Sequence, residues 1–167
     1  MPDLLVRLYD LPEVQPHLEK LHDQGVVIRT ARSFEKQQVV GWVRDHFGSR
    51  WADECEAALG NRPISCFIAT ENGAIAGFAC YDSTCRDFFG PTGVAPHVRG
   101  RGIGSGLLLS CLAAMAAIGY AYAIIGGVGS ADFYRRVVAA IEIEGSSPGF
   151  YRDRLRGNDA ESGGNSG

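Results

Sequence analysis

The sequence predicts an α/β fold in which helices pack against a mixed β-sheet, and three observations support this. Two apolar runs within residues 64–82 are joined by Asn72-Gly73, a dipeptide that strongly indicates an antiparallel hairpin. Strand-like segments at 87–94 and 120–125 are separated by a long apolar helical stretch, which makes a βαβ crossover and therefore a parallel pair. Helical segments precede the hairpin, so the sheet should combine both kinds of pairing with helical cover.

The segments before the hairpin alternate between strand and helix patterns. Residues 4–9 form a predicted strand, a helix follows over 11–25, and the β-branched run at 26–31 is a second strand. Ser33 is predicted to cap the next helix, whose apolar side chains recur at near-helical spacing and should face the core. These side chains are Phe34, Val39, Trp42, Val43 and Phe47. A further helix is predicted at about 51–59.

Residues 87–94 are unsuited to a regular central strand. Pro91 has no amide hydrogen to donate, and Gly90 and Gly93 on either side of it weaken strand pairing. A β-bulge would accommodate these residues, and bulges are frequent beside active sites.

The end of the chain follows the crossover with shorter elements. A helix is predicted at 130–140, a last strand at 141–144 and an irregular segment after it. Residues 157–167 are polar and glycine-rich, so we expect a flexible tail without a function.

Composition and charge argue against several classes of protein. A net charge of −3 does not favour a nucleic-acid partner. The N-terminus carries Asp3, Arg7 and Asp10, which is atypical of a signal peptide, and no apolar run is long enough to span a membrane. The five cysteines include no Cys-x-x-Cys pair and match no zinc spacing. We therefore expect a cytoplasmic protein with reduced thiols, no metal, no nucleic-acid partner and no membrane association.

A Gly-Arg-Gly loop lies between the unusual strand and the long apolar helix. Amides at a helix N-terminus have no partners inside the helix, and the helix dipole adds partial positive charge there. A glycine-rich turn lets an anion approach these amides, so the loop predicts a phosphate site. A tight turn without a ligand is the alternative.

The two common nucleotide motifs do not fit this loop. A Gly-x-Gly-x-x-Gly fingerprint that starts at Gly100, Gly102 or Gly104 ends on Ser or Leu instead of Gly. The P-loop requires Gly-Lys-Ser/Thr, and the loop contains no lysine.

The spacing that fits is Arg-x-x-Gly-x-Gly at Arg99, Gly102 and Gly104. With the wider string GVAPHVRGRGIGSGLL, it resembles the signature of the GNAT superfamily of N-acetyltransferases, which use acetyl-coenzyme A. The resemblance implies a central, mostly antiparallel sheet with one splayed parallel strand pair and helices on both faces. It also implies a single domain at 1–156, in which residues 1–25 are an addition to the family core.

The resemblance implies which residues hold acetyl-coenzyme A. The amides from Gly100 to Gly104 would surround the pyrophosphate, and the arginines of the loop would neutralise phosphate charge. Main-chain groups of the bulged strand would bond the pantetheine arm in the gap between the parallel strands. The predicted cofactor-binding residues are Thr92, Val94, Arg99, Gly100, Arg101, Gly102, Ile103, Gly104 and Ser105.

Acetyl transfer to an amine requires a neutral amine, a stabilised oxyanion and an acid that protonates the leaving thiolate. Members of the family commonly use a tyrosine that follows a phenylalanine, and Phe133-Tyr134 is similar to that pair. Tyr134 is therefore the predicted acid, with a packed aromatic without a chemical role as the alternative. Tyr120, Tyr122 and Tyr151 are further candidates for the acid. The Val94 amide or its neighbour is the predicted oxyanion donor.

The resemblance does not identify a general base. Phe88 occupies the position at which family members often carry Glu. Its neighbour Asp87 is a candidate, although strand alternation directs it to the opposite face unless a bulge reorients it. Other candidates, each also explained as a solvated charge, are Asp82, Glu71, Glu35 and His97. Removal of the proton by water is a further possibility.

Together these inferences predict an N-acetyltransferase that moves an acetyl group from acetyl-coenzyme A to a primary amine by direct attack. The acceptor would be a small molecule, a peptide N-terminus or a lysine, and the protein a monomer or homodimer. One alternative is a non-catalytic module that binds acyl-coenzyme A, which the absence of Glu at Phe88 favours. A second is transfer of a larger acyl group, against which the bulk of Phe88 and Phe89 argues.

Overall fold

The computed structural model describes residues 1–157, and their strands form one seven-stranded sheet in the order β2-β3-β4-β5-β6-β1-β7. The strands are β1 (Leu4–Arg7), β2 (Val26–Thr30), β3 (Cys66–Glu71), β4 (Ala74–Tyr81), β5 (Phe88–Val94), β6 (Tyr122–Ile125) and β7 (Ile141–Glu142). The helices are α1 (Gln15–Asp23), α2 (Lys36–Phe47), α3 (Ser49–Leu59), α4 (Ile103–Ala117) and α5 (Ala131–Val138). Most of the predicted polar tail, residues 158–167, lies outside the described residues.

The strand pairing confirms the predicted mixed sheet. The β3–β4 hairpin turns at Asn72-Gly73, and both residues have the positive φ that such a turn requires. The β5–β6 pair is parallel, whereas the other neighbouring strands within residues 1–157 pair antiparallel. Strand β1 lies between β6 and β7, so the first residues of the chain belong to the same sheet as the rest.

Helices cover both faces of the sheet, as expected. Adjacent residues of a strand point to opposite faces. Ala69 and Ala79 belong to a core cluster with Leu107 of α4, whereas Ile68 and Phe78 belong to a second cluster that packs under α2 and α3. No helix within the described residues is both long and apolar enough to cross a membrane.

The start of α2 differs from the prediction. Ser33, Phe34 and Glu35 form a 3-10 turn, Ser33 makes no capping hydrogen bond, and the α-helix begins at Lys36. The turn directs Phe34 to solvent, where it is 80 % exposed, so its predicted place in the core is wrong. An ion pair of 3.0 Å between Arg29 and Glu35 connects the turn to β2.

Other predicted element boundaries shift by a few residues. Residues 8–10 form a 3-10 turn that shortens the first strand, and α1 begins at Gln15. Strand β6 begins at Tyr122, and β7 contains only two residues.

Strand β5 contains the predicted bulge. Ala79 pairs with Thr92, but the next pair is Tyr81 with Phe89, so β5 has one residue more than β4 between these two pairs. The extra residue falls at Gly90-Pro91, where Gly90 has a φ of +119° that favours glycine.

The parallel strands β5 and β6 are paired over two residues only. Phe88 pairs with Ile124 and Phe89 with Ile125, and the ladder ends there. The bulge follows directly, so β5 from Gly90 to Val94 leaves β6 and a gap opens between the two strands. This gap determines where the candidate site lies.

Candidate active site

A cavity of about 1530 Å³ begins at the glycine loop and passes the separated edge of β5. It continues to α3 and to the C-terminal segment 147–157. Except for Arg101, the residues predicted from the sequence to bind the cofactor line it, and so does Tyr134. The fold therefore brings a phosphate-type loop, an unpaired strand edge and a tyrosine into one continuous space.

The glycine loop ends at the N-terminus of α4. Gly100 and Gly102 have φ values of +82° and +86°, which only glycine adopts without strain, and no side chain caps the helix. The amides of Ile103, Gly104 and Ser105 have no acceptor inside the helix, because the first hydrogen bond of α4 runs from the Gly106 amide to the Gly102 carbonyl. These three residues line the cavity, so the helix presents partial positive charge to it.

The two arginines of the loop lie in different environments. Arg99 lines the cavity, and its Nε donates to the Val94 carbonyl at 3.2 Å. Arg101 instead donates two hydrogen bonds to the carboxylate of Glu71, at 3.1 and 2.6 Å, and a third to the Gln24 carbonyl. A phosphate role for Arg101 stays a prediction, and it would require this ion pair to open.

The backbone of Thr92 and Val94 is directed toward the gap. The Ala95 amide donates to the Ala76 carbonyl at 2.8 Å, which makes these two residues a hydrogen-bonded pair between β5 and β4. Hydrogen-bonded and non-bonded pairs alternate along an antiparallel ladder. Thr92 and Val94 are therefore in non-bonded pairs with β4, and their N–H and C=O groups point to the edge where β6 has separated.

Of the four candidate tyrosines, Tyr134 and Tyr151 line the cavity. Tyr134 packs edge-on against Phe89, with ring centroids 6.4 Å apart, and burial raises its pKa to about 12. Burial also raises the pKa of Tyr151 to about 12. The other two are outside the cavity: Tyr120 donates to the Asp82 carboxylate at 3.0 Å, and Tyr122 is exposed.

None of the base candidates named from the sequence is among the described residues that line the cavity. The Asp87 amide donates a hydrogen bond to the Asp82 carboxylate. Burial, followed by the nearby Asp82 charge, raises the pKa of the Asp87 carboxyl group. Hydrogen bonding from Arg101 lowers the pKa of Glu71, which makes that carboxylate a weak base. Glu35 is paired with Arg29, and His97 is exposed. Their proposed roles as a base stay predictions.

The structure adds a carboxylate that sequence reasoning missed. Glu54 of α3 is half-buried, lines the cavity and accepts a hydrogen bond of 2.5 Å from the Thr84 hydroxyl. The Ser83 hydroxyl donates to the Glu54 main-chain carbonyl. The helix contains two other acidic residues, Asp53 and Glu56, so composition did not distinguish Glu54. The sequence feature that could have pointed to Glu54 is its position one helical turn after Trp51, which places both side chains on the same face of the helix.

Three buried thiols form the one group among the described residues whose spacing could hold a metal ion. The sulfur atoms of Cys55, Cys66 and Cys80 lie within 4.8 Å of one another, and all three residues are fully buried. They come from α3, β3 and β4, so their distances in sequence gave no metal-site pattern. The thiols are free, lie in the apolar cluster beneath α2 and α3, and do not line the cavity.

Comparison with known proteins supports this arrangement. A family model described as an acetyltransferase (GNAT) domain matches residues 62–137, a range that includes the bulge, the glycine loop and Tyr134. A search of curated proteins finds no match.

Solved structures share the fold at low sequence identity. A GCN5-related glucosamine N-acetyltransferase region of a fungal multidomain GH3 β-N-acetylglucosaminidase aligns with a TM-score of 0.70 and 17% identity over 85% of this chain. A GCN5-related N-acetyltransferase from Sphaerobacter thermophilus aligns over the same share, with a TM-score of 0.66 and 20% identity. This chain spans 19% and 48% of the lengths of those two chains.

A third structure contains a ligand. A GNAT family acetyltransferase from Brucella melitensis, solved in complex with acetyl-CoA, aligns with a TM-score of 0.51 and 21% identity, over 66% of this chain and 80% of its own. The matched range, the splayed strand pair and the shared fold agree: residues 62–137 match a GNAT acetyltransferase domain, and the chain has the fold of GNAT N-acetyltransferases.

Proposed function

We propose that the protein transfers an acetyl group from acetyl-coenzyme A to a primary amine. The observation that carries the proposal is one continuous cavity. It runs from the N-terminus of α4, along the free edge of β5, to Tyr134 on α5. A long ligand with a phosphate end and a reactive end matches such a space. The Brucella relative of the same fold was solved in complex with acetyl-CoA, which supports the choice of cosubstrate.

Each section of the cavity would hold one part of acetyl-coenzyme A. The amides of Ile103, Gly104 and Ser105 at the start of α4 would bind the pyrophosphate. The pantetheine amides would bond the outward-facing main chain of Thr92 and Val94, as a further strand does at an open sheet edge. The thioester would then lie beyond the bulge, near Tyr134.

The transfer needs no covalent enzyme intermediate. The neutral amine attacks the thioester carbonyl, so a C–N bond forms and a tetrahedral oxyanion develops, which the Val94 amide would stabilise. The C–S bond then breaks as the Tyr134 hydroxyl gives its proton to the thiolate. The amide nitrogen releases its extra proton to water, and water returns a proton to the tyrosinate. Burial raises the pKa of Tyr134 to about 12, so the phenol is protonated at neutral pH, the form in which it can act as an acid.

We further propose that residues 1–156 fold as one domain. Strand β1 is hydrogen-bonded between β6 and β7, which argues that residues 1–25 are an integral part of the sheet in this chain.

Release of free thiol from acetyl-coenzyme A in the presence of a panel of primary amines tests the proposed function. We expect amine-dependent release, with the acetylated amine as the second product. Binding of acetyl-coenzyme A without turnover on any amine would instead support the non-catalytic module. Faster release from succinyl-coenzyme A than from acetyl-coenzyme A would support transfer of a larger acyl group.

The two arginines of the loop should contribute unequally to cofactor binding. We expect Arg99→Ala to weaken acetyl-coenzyme A binding about tenfold or more, because Arg99 lines the cavity and a hydrogen bond to a charged group contributes about 1.5–3 kcal/mol. Arg101→Ala should change the dissociation constant less than about threefold, because Arg101 is engaged by Glu71. Isothermal titration calorimetry of both variants checks this, and a larger loss with Arg101→Ala would show that the ion pair opens for phosphate.

A further inference from the structure

The end of the cavity opposite the glycine loop has its own set of side chains. Trp51 and Glu54 of α3 line it, together with Thr84 from the loop before β5 and Tyr151 from the C-terminal segment. The proposed function places the thioester in the middle of the cavity, so this end is where the acceptor would enter. The inference below rests on that proposed function.

Glu54 is a half-buried carboxylate without a cationic partner within the described residues. Its Oε1 accepts a hydrogen bond from the Thr84 hydroxyl, and no other side chain within residues 1–157 donates to this carboxylate. The other acidic side chain that lines the cavity, Asp132, is 89% exposed and lies 3.3 Å from Arg135. A charge removed from water gains most from a partner of opposite sign, so the Glu54 carboxylate is suited to bind an ammonium group.

An aromatic wall lies beside this carboxylate. Trp51 precedes Glu54 by one helical turn, and the rings of Trp51 and Phe47 are 5.2 Å apart. The ring of Phe47 occupies the space that a side chain at Gly93 would fill, so the wall packs directly on the backbone of β5 between Thr92 and Val94. The ammonium site is therefore continuous with the strand edge that would hold the thioester.

Tyr151 closes the same end of the cavity on its other side. Burial, followed by the nearby Glu54 charge, raises the pKa of Tyr151, so its hydroxyl lies on the side of the cavity that faces this carboxylate. The Tyr151 hydroxyl lies 2.5 Å from the position that a Cβ of Gly126 would take, directly after β6. The Thr84 hydroxyl therefore orients the carboxylate from one side, and Tyr151 closes the cavity beside the end of β6.

We propose that Glu54 binds the ammonium group of the acceptor and takes a proton from it, and that the acceptor is a small primary amine with an apolar or aromatic body resting on Trp51 and Phe47. The ammonium becomes a neutral amine as the Glu54 carboxylate becomes a carboxylic acid. The lone pair of the amine then attacks the thioester, and Glu54 returns its proton to water after the product leaves. Thr84 is a positioning residue in this scheme.

Equilibrium binding of 2-phenylethylamine and of 2-phenylethanol, in the presence of coenzyme A, tests the proposal by the quenching of tryptophan fluorescence. The two probes share a ring and differ in charge at pH 7.5. We expect the wild-type protein to bind the amine about tenfold or more tightly than the alcohol. Glu54→Gln should remove this preference and leave the alcohol unchanged, since about tenfold is the loss expected of one charged hydrogen bond.

Asp53→Asn is the matched control, because it removes the same charge one residue earlier from an exposed side chain that does not line the cavity. It should bind both probes as the wild type does. Thr84→Val keeps the side-chain shape and should weaken amine binding by a smaller factor, which supplies a second variant should Glu54→Gln not fold. In turnover, Glu54→Gln should lower kcat/KM and shift its pH profile to higher pH.

Three results would overturn the proposal: equal affinity for the two probes, wild-type amine affinity in Glu54→Gln, or no saturable binding of the amine. Acetyl-coenzyme A binding is measured separately by thermal shift. Its absence would contradict the proposed function, whereas its presence together with any of those three results would contradict the role of Glu54 alone.

Discussion

Replacing Tyr134 by Phe is expected to lower kcat by about 10²–10⁴-fold, the usual contribution of a general acid. The dissociation constant for acetyl-coenzyme A should stay within about twofold of the wild-type value. The hydroxyl acts only as the thiolate departs, so its removal raises the energy of the transition state and not that of the bound complex. The ring remains packed on Phe89 and Phe133, so the melting temperature should change little. Stopped-flow or steady-state thiol release, together with calorimetry, measures both quantities.

Tyr122→Phe is the matched control for this substitution. Tyr122 is exposed, its hydroxyl lies 3.3 Å from that of Tyr9, and it does not line the cavity, so this variant should turn over as the wild type does. Tyr151→Phe shows which of the two tyrosines that line the cavity acts as the acid. Unchanged turnover in Tyr134→Phe with a large loss in Tyr151→Phe would move the acid to Tyr151.

The raised pKa of Tyr134 gives this assignment a pH dependence of definite sign. A pKa of about 12 keeps the phenol protonated, and therefore active as an acid, at every pH below that value. Turnover should accordingly rise with pH as the amine acceptor loses its proton and should not fall again below about pH 10 on account of the tyrosine. A descending limb between pH 8 and 10 in wild type that disappears in Tyr134→Phe would contradict the raised pKa of Tyr134.

The features that the sequence predicted correctly are those encoded by adjacent residues. Asn72-Gly73 determines a hairpin by its own backbone preferences. Pro91 with its neighbouring glycines prevents regular pairing, which is enough to anticipate the bulge, whereas the separation of the parallel strands was implied by the family resemblance. The glycine loop is likewise a local motif, because positive φ at Gly100 and Gly102 is a property of those residues alone.

The features that the sequence did not predict depend on contacts between distant residues. Arg101 lies within the phosphate motif, but Glu71 on another strand determines where its guanidinium points. Glu54 acquires its place in the cavity from Thr84, which lies 30 residues later in the chain. No pattern of spacing reports such pairs. Phe34 shows the same limit, since a 3-10 turn held to β2 by Glu35 rotates an apolar side chain away from the core that its spacing predicts.

The phosphate assignment makes the second large prediction, in which Gly102→Glu abolishes the thermal stabilisation by acetyl-coenzyme A. At a concentration of about 100 times the dissociation constant, the ligand should stabilise the wild-type protein by about 2.7 kcal/mol, or roughly 5–10 °C. Gly102 is the residue before the first turn of α4, and nothing lies within 4 Å of the position that its Cβ would take. A glutamate there would extend its carboxylate toward the amides that the pyrophosphate needs, and its charge would repel the phosphates.

Gly102→Ala is the control that makes this experiment decisive. The φ of +86° at Gly102 strains any other residue by about 1–2 kcal/mol, so both variants should melt lower than the wild type in the absence of ligand. The glutamate variant should melt no lower than the alanine variant, because a carboxylate at a helix N-terminus is stabilised by the helix dipole. With acetyl-coenzyme A, Gly102→Ala should regain most of the wild-type shift and Gly102→Glu none of it. A full shift in folded Gly102→Glu would mean that the coenzyme does not use the amides of α4, whereas loss of the shift in both variants would trace the effect to backbone strain.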